Sequence, residues 1–161
     1  GAALFDSMTV EENVGLPLVE SKTEFSKSDI KKIVEEKLSL VGLEEILNLK
    51  PSELSGGMKK RVALARALVT DPSYILYDEP TTGLHMSDID NFYNIVKSLV
   101  AKNNTVVIIE HNLDIIKYAD WIIDMGPEGG KNGGEVIFQG IPEDLTECRN
   151  SYTGRFLKRM L

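Results

Sequence analysis

Leu54-Ser55-Gly56-Gly57-Met58 puts a serine where a helix N-cap belongs and two glycines at the first helical positions. Glycine there is poor for helix stability, at roughly 1 kcal/mol each against alanine. What it provides is access, because a ligand can approach backbone that carries no Cβ. First-turn N–H groups and the positive end of the helix dipole then favour an anion. On its own the pattern is equally that of an ordinary Ser-capped helix after a turn. A second group follows, where the apolar run Tyr74 to Tyr77 closes on Asp78-Glu79. A continuous apolar strand between helices is expected to be a central parallel strand. Ligands of such sheets lie beyond the carboxyl ends of the strands, which is where both carboxylates arrive. Taken alone, an acidic pair at a strand end is more often a turn. His111 is the third candidate, because it follows another strand, Thr105 to Ile109. A lone histidine there is also a common packing residue.

The elements that must position these groups can be read in order. Thr9-Val10-Glu11-Glu12 has the form of a capping box, so a helix should start after Thr9 and stop at or before Pro17. Ser26 to Asp29 repeats the signal, and Ile30, Ile33, Val34, Leu38 and Val41 share one helical stripe, with Gly42 placed to end it. Leu43 to Leu49 is expected to be a short helix broken at Pro51. After the Ser55 helix and the strand at 74–77, Ile89 to Val100 carry a clean helical stripe. Thr105 to Ile109 is the clearest strand, β-branched almost throughout. Trp121 to Met125 is a third strand, and Glu135 to Phe138 should pair with it as a hairpin turning near Gly133-Gly134. Short helices are expected at Leu113–Tyr118, after Pro142, and over Tyr152–Leu161, the last docking through Phe156, Leu157 and Met160.

A phosphate-cradling P-loop is missing from the 161 residues. Gly130-Lys131 comes nearest. The glycine required five residues earlier is Met125, the residue after the lysine is Asn132, and a strand follows where a helix is needed.

The totals narrow the class. There are no long apolar runs of membrane-span length, and one cysteine, Cys148, excludes an internal disulfide. A reducing cytosol is the expected home. A net charge of −7 argues against a surface that embraces nucleic acid, although Lys59-Lys60-Arg61 could form a local basic patch.

Leu-Ser-Gly-Gly, a helix, an apolar strand ending Asp78-Glu79, the turn Thr82-Gly83-Leu84 and a strand ending at His111 together resemble the ATPase domain of the ABC superfamily. Residues 1–84, with Phe5-Asp6-Ser7-Met8-Thr9-Val10-Glu11-Glu12-Asn13-Val14, are similar to the ATP-binding subunit of transporters, nearest the Mla-type lipid transporters. Residues 85–161 resemble instead the C-terminal end of the excinuclease subunit UvrA, through Gly83-Leu84-His85, Asn104 to Asp114, Ala119 to Asp124, Gly126 to Gly130 and Ser151 to Arg155. His85 departs from the transporter pattern, which has Asp there. Two origins fit: a chimera of two ABC fragments meeting within or beside Glu79 to Leu84, which is the preferred reading, or a natural divergent member.

The resemblance implies an α/β fold, a partial P-loop NTPase of ABC type. It is a three-layer parallel sheet whose P-loop strand is missing beside residues 105–109, leaving an exposed edge. Residues 1–70 would form a helical subdomain with the Leu-Ser-Gly-Gly helix, and residues 71–161 the C-terminal part of the RecA-like core. The resemblance also assigns roles. Asp78 would hold Mg²⁺, Glu79 would polarise the attacking water, and His111 would contact the γ-phosphate of ATP. Ser55, Gly56 and Gly57 would cover the γ-phosphate bound by a second domain in a head-to-tail pair. ATP and Mg²⁺ are thus the implied cofactors of the complete domain, and this chain alone is expected to be inactive. Implied partners are a second ABC ATPase domain, a membrane transporter subunit through residues 1–52, and, for the UvrA-like alternative, DNA. Self-association through the exposed sheet edge is a further expectation. The implied location is the cytoplasm, peripheral to the inner membrane face in the transport reading. A non-enzymatic chimera is the remaining alternative.

Overall fold

The computed structural model describes residues 4–83, 86–126 and 134–161. By packing the chain divides into two compact units, Gly1–Ile108 and Ile109–Leu161. This cut differs from the functional division at residue 70 expected from sequence. The helices before residue 70 share their core with the elements that follow.

The first unit begins with α1, Val10–Val19. Its capping box forms as the sequence indicates: Glu12 N donates to Thr9 Oγ1 at 3.2 Å and Thr9 N to Glu12 Oε2 at 2.8 Å. Pro17 does not stop the helix but lies inside it. The buried residues Val14 and Leu18 flank Pro17, and their packing keeps the last turn helical despite the lost donor. α2, Lys27–Leu40, starts from the Ser26/Asp29 box and buries Val34 and Leu38. Gly42, at φ +67°, ends it.

The helix expected at 43–49 does not form. Val10 N donates to Leu49 O at 2.8 Å and Glu11 N to Leu47 O at 3.0 Å. The segment therefore spends its carbonyls on the first-turn amides of α1, which have no acceptor in their own helix. Leu43 and Ile46 are still buried, so the apolar positions serve the core without helical backbone. A 3-10 turn at Pro51–Glu53 leads into α3, Gly56–Leu68. β1, Tyr74–Asp78, passes through α4, Met86–Ala101, to β2, Thr105–Ile109.

β1 and β2 are hydrogen-bonded neighbours. Thr105 N donates to Ser73 O at 2.9 Å, so the two strands start side by side, as parallel strands joined by a crossover helix do. One core unites α1, α2, α3, β1 and α4 through Val14, Val34, Val62, Ile75, Ile95 and Leu99. The opposite face of the two-stranded sheet carries exposed Tyr74, Leu76 and Val107.

The second unit contains α5, Leu113–Ile116, β3, Ile122–Gly126, β4, Glu135–Gly140, α6, Pro142–Leu145, and α7, Tyr152–Leu157. β3 and β4 pair antiparallel, with a register shift between Asp124 and Met125. This is the expected hairpin; its loop, including Gly130-Lys131, lies outside the described residues. Among the described residues the strands form two separate two-stranded sheets, β1-β2 and β3-β4. The fold is a partial α/β domain, and the larger parallel sheet expected from sequence is represented among the described residues by β1 and β2 alone.

The terminal helix is shorter than expected, and Phe156 and Met160 are exposed while Leu157 is fully buried. Ser151 Oγ instead donates to Asp124 Oδ2 at 2.5 Å while accepting from Gly154 N at 2.7 Å, and Thr153 Oγ1 donates to Asp124 Oδ1 at 3.1 Å. This polar lock docks α7.

Candidate functional site

In the first unit, Gly57, Asp78 and Glu79 of the candidate residues line a cavity of about 680 Å³, together with Lys60, Leu76 and Tyr77 among others, while Ser55 and Gly56 do not line it. α3 forms one wall, the carboxyl end of β1 the floor, and the start of α4 contributes Asp88 and Phe92.

The start of α3 is built as the sequence indicates. Ser55 is the N-cap, and its Oγ accepts from Met58 N at 3.2 Å. Lys59 N donates to Ser55 O at 2.9 Å, the first full turn of the helix. The amides of Gly56 and Gly57 come before that ladder and have no acceptor within the helix. A Cβ on Gly56 would meet nothing within 4 Å, so this backbone is open to a ligand. Gly57 differs, because a Cβ there would stand 3.2 Å from Asp88 Oδ2. A carboxylate from α4 thus already lies against the positive end of α3, an arrangement the helix dipole favours.

Asp78 and Glu79 are both exposed at the tip of β1. Glu79 sits at φ +45°, in the left-handed region that non-glycine residues rarely occupy. The turn that follows is held from several sides. Thr82 N donates to Glu79 O at 3.3 Å, and Thr82 Oγ1 donates to Glu79 Oε2 at 3.2 Å. Lys60 Nζ donates to Pro80 O at 3.0 Å and to Thr82 O. Thr81 is buried. Beneath the tip, Tyr77 packs edge-to-face on Phe92 with ring centroids 5.5 Å apart. Burial raises the Tyr77 phenol well above its ordinary value, so it stays protonated.

His111 belongs to the second unit and is exposed. Glu110 Oε2 accepts from the amides of His111 at 3.1 Å and Asn112 at 3.2 Å. Asn112 caps α5 by accepting from Asp114 N at 3.0 Å. The loop that carries His111 is therefore pinned by Glu110. The structure brings Ser55, Gly56, Gly57, Asp78 and Glu79 into one unit and places His111 in the other.

Sequence reasoning placed Lys60 in a basic patch and Thr82 in a turn but not in the site, and it missed Asp88. Lys60 and Asp88 act on residues far along the chain, whereas Thr82 acts on Glu79 three residues away. The basic patch expected at Lys59-Lys60-Arg61 is mostly committed inward: Lys60 holds the turn after Glu79, and Arg61 Nη1 donates to Gly42 O at 3.2 Å. The order Lys, Arg one turn after Gly-Gly was the available signal.

The residues present fit the implied cofactors in part. Two exposed carboxylates suit a hard cation that takes few protein ligands and keeps its waters. Among the described residues no cluster of three or more His, Cys, Asp or Glu could form a full protein cage. The open Gly56 amide suits a phosphate oxygen. Neither supplies the nest of successive N–H groups that a P-loop wraps round a polyphosphate.

Known proteins are similar to this chain over most of its length. UvrABC system protein A of Borreliella burgdorferi is 51% identical over 125 residues, covering 75% of this chain and 13% of that protein. The Vibrio parahaemolyticus protein of the same name is 45% identical over 161 residues, 98% of this chain and 17% of that protein. This match runs across the point where the two resemblances meet. The chain thus spans well under a fifth of these relatives. Among solved structures, the dimeric MJ0796 bacterial ABC transporter cassette matches with TM-score 0.70 and 34% identity, over 76% of this chain and 54% of that one. UvrA2 from Deinococcus radiodurans matches with TM-score 0.69 and 32% identity, over 97% of this chain and 19% of that one. The model of the family described as ABC transporter matches residues 2–82, half of the sequence. On that match, this chain belongs to the ABC transporter family of ATPase domains.

Proposed function

We propose that the chain supplies one face of an ATP-hydrolysing site: the helix start that covers a γ-phosphate bound elsewhere, and the carboxylates that act on its own side. The observation that carries this reading is a single unit bearing both the Ser55-capped helix start, open at Gly56 and faced by Asp88 at Gly57, and the exposed Asp78-Glu79 pair leading into a restrained turn. When bound, MgATP supplies the phosphoryl group to be cleaved and the cation that neutralises its charge. Gly56 and Gly57 amides donate hydrogen bonds to an anion. Asp78 offers an oxygen to Mg²⁺, and Glu79 accepts a hydrogen bond from water and orients it. The family resemblance alone adds His111, carried by the second unit, as a γ-phosphate contact. Catalysis of this kind is mostly positioning and charge stabilisation.

The cradle must come from another segment, and the arrangement calls for head-to-tail pairing with a second ABC domain. The UvrA-like setting, that of a DNA-repair ATPase, is favoured over transport because the UvrA2 likeness covers 97% of the chain and the MJ0796 likeness 76%. In that setting DNA is a partner of the whole assembly, since the chain itself carries a net charge of −7. The transport reading would place residues 1–52 against a membrane subunit. A cytoplasmic location fits both readings, and no helix among the described residues is long and apolar enough to cross a membrane.

Mixing the chain with a segment that bears a P-loop tests the proposal. Mg²⁺-dependent hydrolysis should appear only in the mixture and fall about a hundredfold or more with Glu79→Gln. Hydrolysis in the mixture that is indifferent to Glu79 would refute the assignment.

A further inference from the structure

α3 does more than present its amino end. Lys60 lies one turn after Gly56, and its ammonium donates to the carbonyls of both Pro80 and Thr82. Those carbonyls belong to the second and last residues of the turn that Glu79 opens. Thr82 in turn donates through its hydroxyl to the Glu79 carboxylate and through its amide to the Glu79 carbonyl. Ammonium, turn and carboxylate therefore form one connected assembly, with no water needed to complete it.

The neighbouring residue fixes the helix at the other side. Arg61 Nη1 reaches the carbonyls of Val41 and Gly42, where α2 ends. Consecutive helical residues point about 100° apart, so α3 is gripped from two directions at the same level. A shift of its first turn must be absorbed by one of these grips. Arg61 holds a segment packed into the core through buried Val41 and Leu43. Lys60 holds a turn that is exposed at Glu79, Thr82 and Gly83 and buried at Thr81, with Glu79 in the left-handed region that non-glycine residues rarely occupy. The Lys60 side is thus the one that yields.

We propose that Lys60 is a positioning residue: it transmits the state of the Ser55–Gly57 helix start to the Glu79 carboxylate, so that an anion seated at the helix start sets the catalytic turn. This inference rests on the reading of Glu79 and the helix start given above. A lysine suits the role because its compact ammonium has several rotatable donors for two carbonyls at once. Arginine can also span two acceptors, whereas methionine keeps the stem and loses every donor.

Hydrogen exchange on the purified chain, followed by peptide mass, tests the contact without needing activity. Lys60→Met should speed exchange of the amides of Glu79, Thr81, Thr82 and Gly83 about tenfold, as loss of charge-assisted hydrogen bonds would, with the amides at 62–68 unchanged. Lys60→Arg should restore most of the protection, and Lys59→Met should leave the turn as it was. Unchanged exchange at 79–83 in Lys60→Met, or equal loosening of α3, would overturn the proposal. In the mixture with a P-loop segment, Lys60→Met should lower kcat about tenfold at constant KM, with Lys60→Arg recovering it. A rise in KM alone would also overturn it. If the wild-type mixture shows no turnover, the functional reading falls, while the exchange result still decides whether Lys60 holds the turn.

Discussion

The two compact units are held together differently. The first has a continuous apolar core that ties α1, α2, α3, β1 and α4 through residues such as Val14, Leu38 and Val62. Its main buried polar anchor, Asn13, accepts from Phe5 N at 2.8 Å and donates to the carbonyls of Phe5, Met8 and Thr9. Among the described residues the second unit buries few large apolar side chains, with Ile115, Leu145 and Leu157 the main ones. It relies on the Asp124–Ser151–Thr153 lock and on close backbone contact between Gly154 and Leu145. Ile123, Met125 and Val136 leave one face of its hairpin apolar and exposed. The contrast teaches where the chemistry can be rigid. The carboxylates and the helix start stand on the packed unit, and His111 stands on the unit held by polar contacts.

The comparison can be broken by substitutions. Leu38→Ala should cost about 2–5 kcal/mol, because it opens a cavity in the shared core, and urea denaturation should show it across α1, α2 and α3. Gly154→Ala should cost about 3 kcal/mol, since the new Cβ would overlap the carbonyl oxygen of Leu145 and backbone must move. Its effect should be confined to α6 and α7 by hydrogen exchange. Asp124→Asn should cost about 2 kcal/mol in the second unit, because one of its two hydroxyl donors loses its acceptor. A uniform loss of stability across both units in either second-unit variant would contradict the contrast.

Much of the first unit was legible because its signals are local. Thr9/Glu12, Ser26/Asp29 and Ser55 all cap helices where their spacing indicates. What the sequence hid depends on distant partners. Leu43–Leu49 has the apolar content of a helix, yet its carbonyls serve α1. Asp88 arrives at Gly57, and Pro80 and Thr82 arrive at Lys60, only once α3, β1 and α4 pack. Likewise nothing near Lys37 announces its pairing with Asp71 at 2.6 Å.

That pair gives a smaller, pH-dependent test. Burial is the largest influence on Lys37 and lowers its pKa, but the hydrogen bond and charge of Asp71, with the charge of Glu36, outweigh it and leave the pKa raised above 10.5. A raised folded pKa means stabilisation that is full below the ordinary lysine value and lost as pH rises through the folded one. The denaturation midpoint of the wild type should therefore fall above pH 10.5, and that of Lys37→Met should fall less. Smaller still is Glu147, whose carboxyl is lowered by its hydrogen bond to Lys158 at 2.8 Å. Its contribution should be present above the ordinary glutamate range and fade as pH falls through the folded value, which Lys158→Met would flatten.

The central claim is that this chain carries the covering helix and the carboxylates of an ATPase site without the phosphate cradle. The most direct test is phosphate release by the purified chain alone with saturating MgATP. The account predicts no turnover above that of Glu79→Gln under the same conditions. Robust Mg²⁺-dependent release that Glu79→Gln abolishes would contradict it.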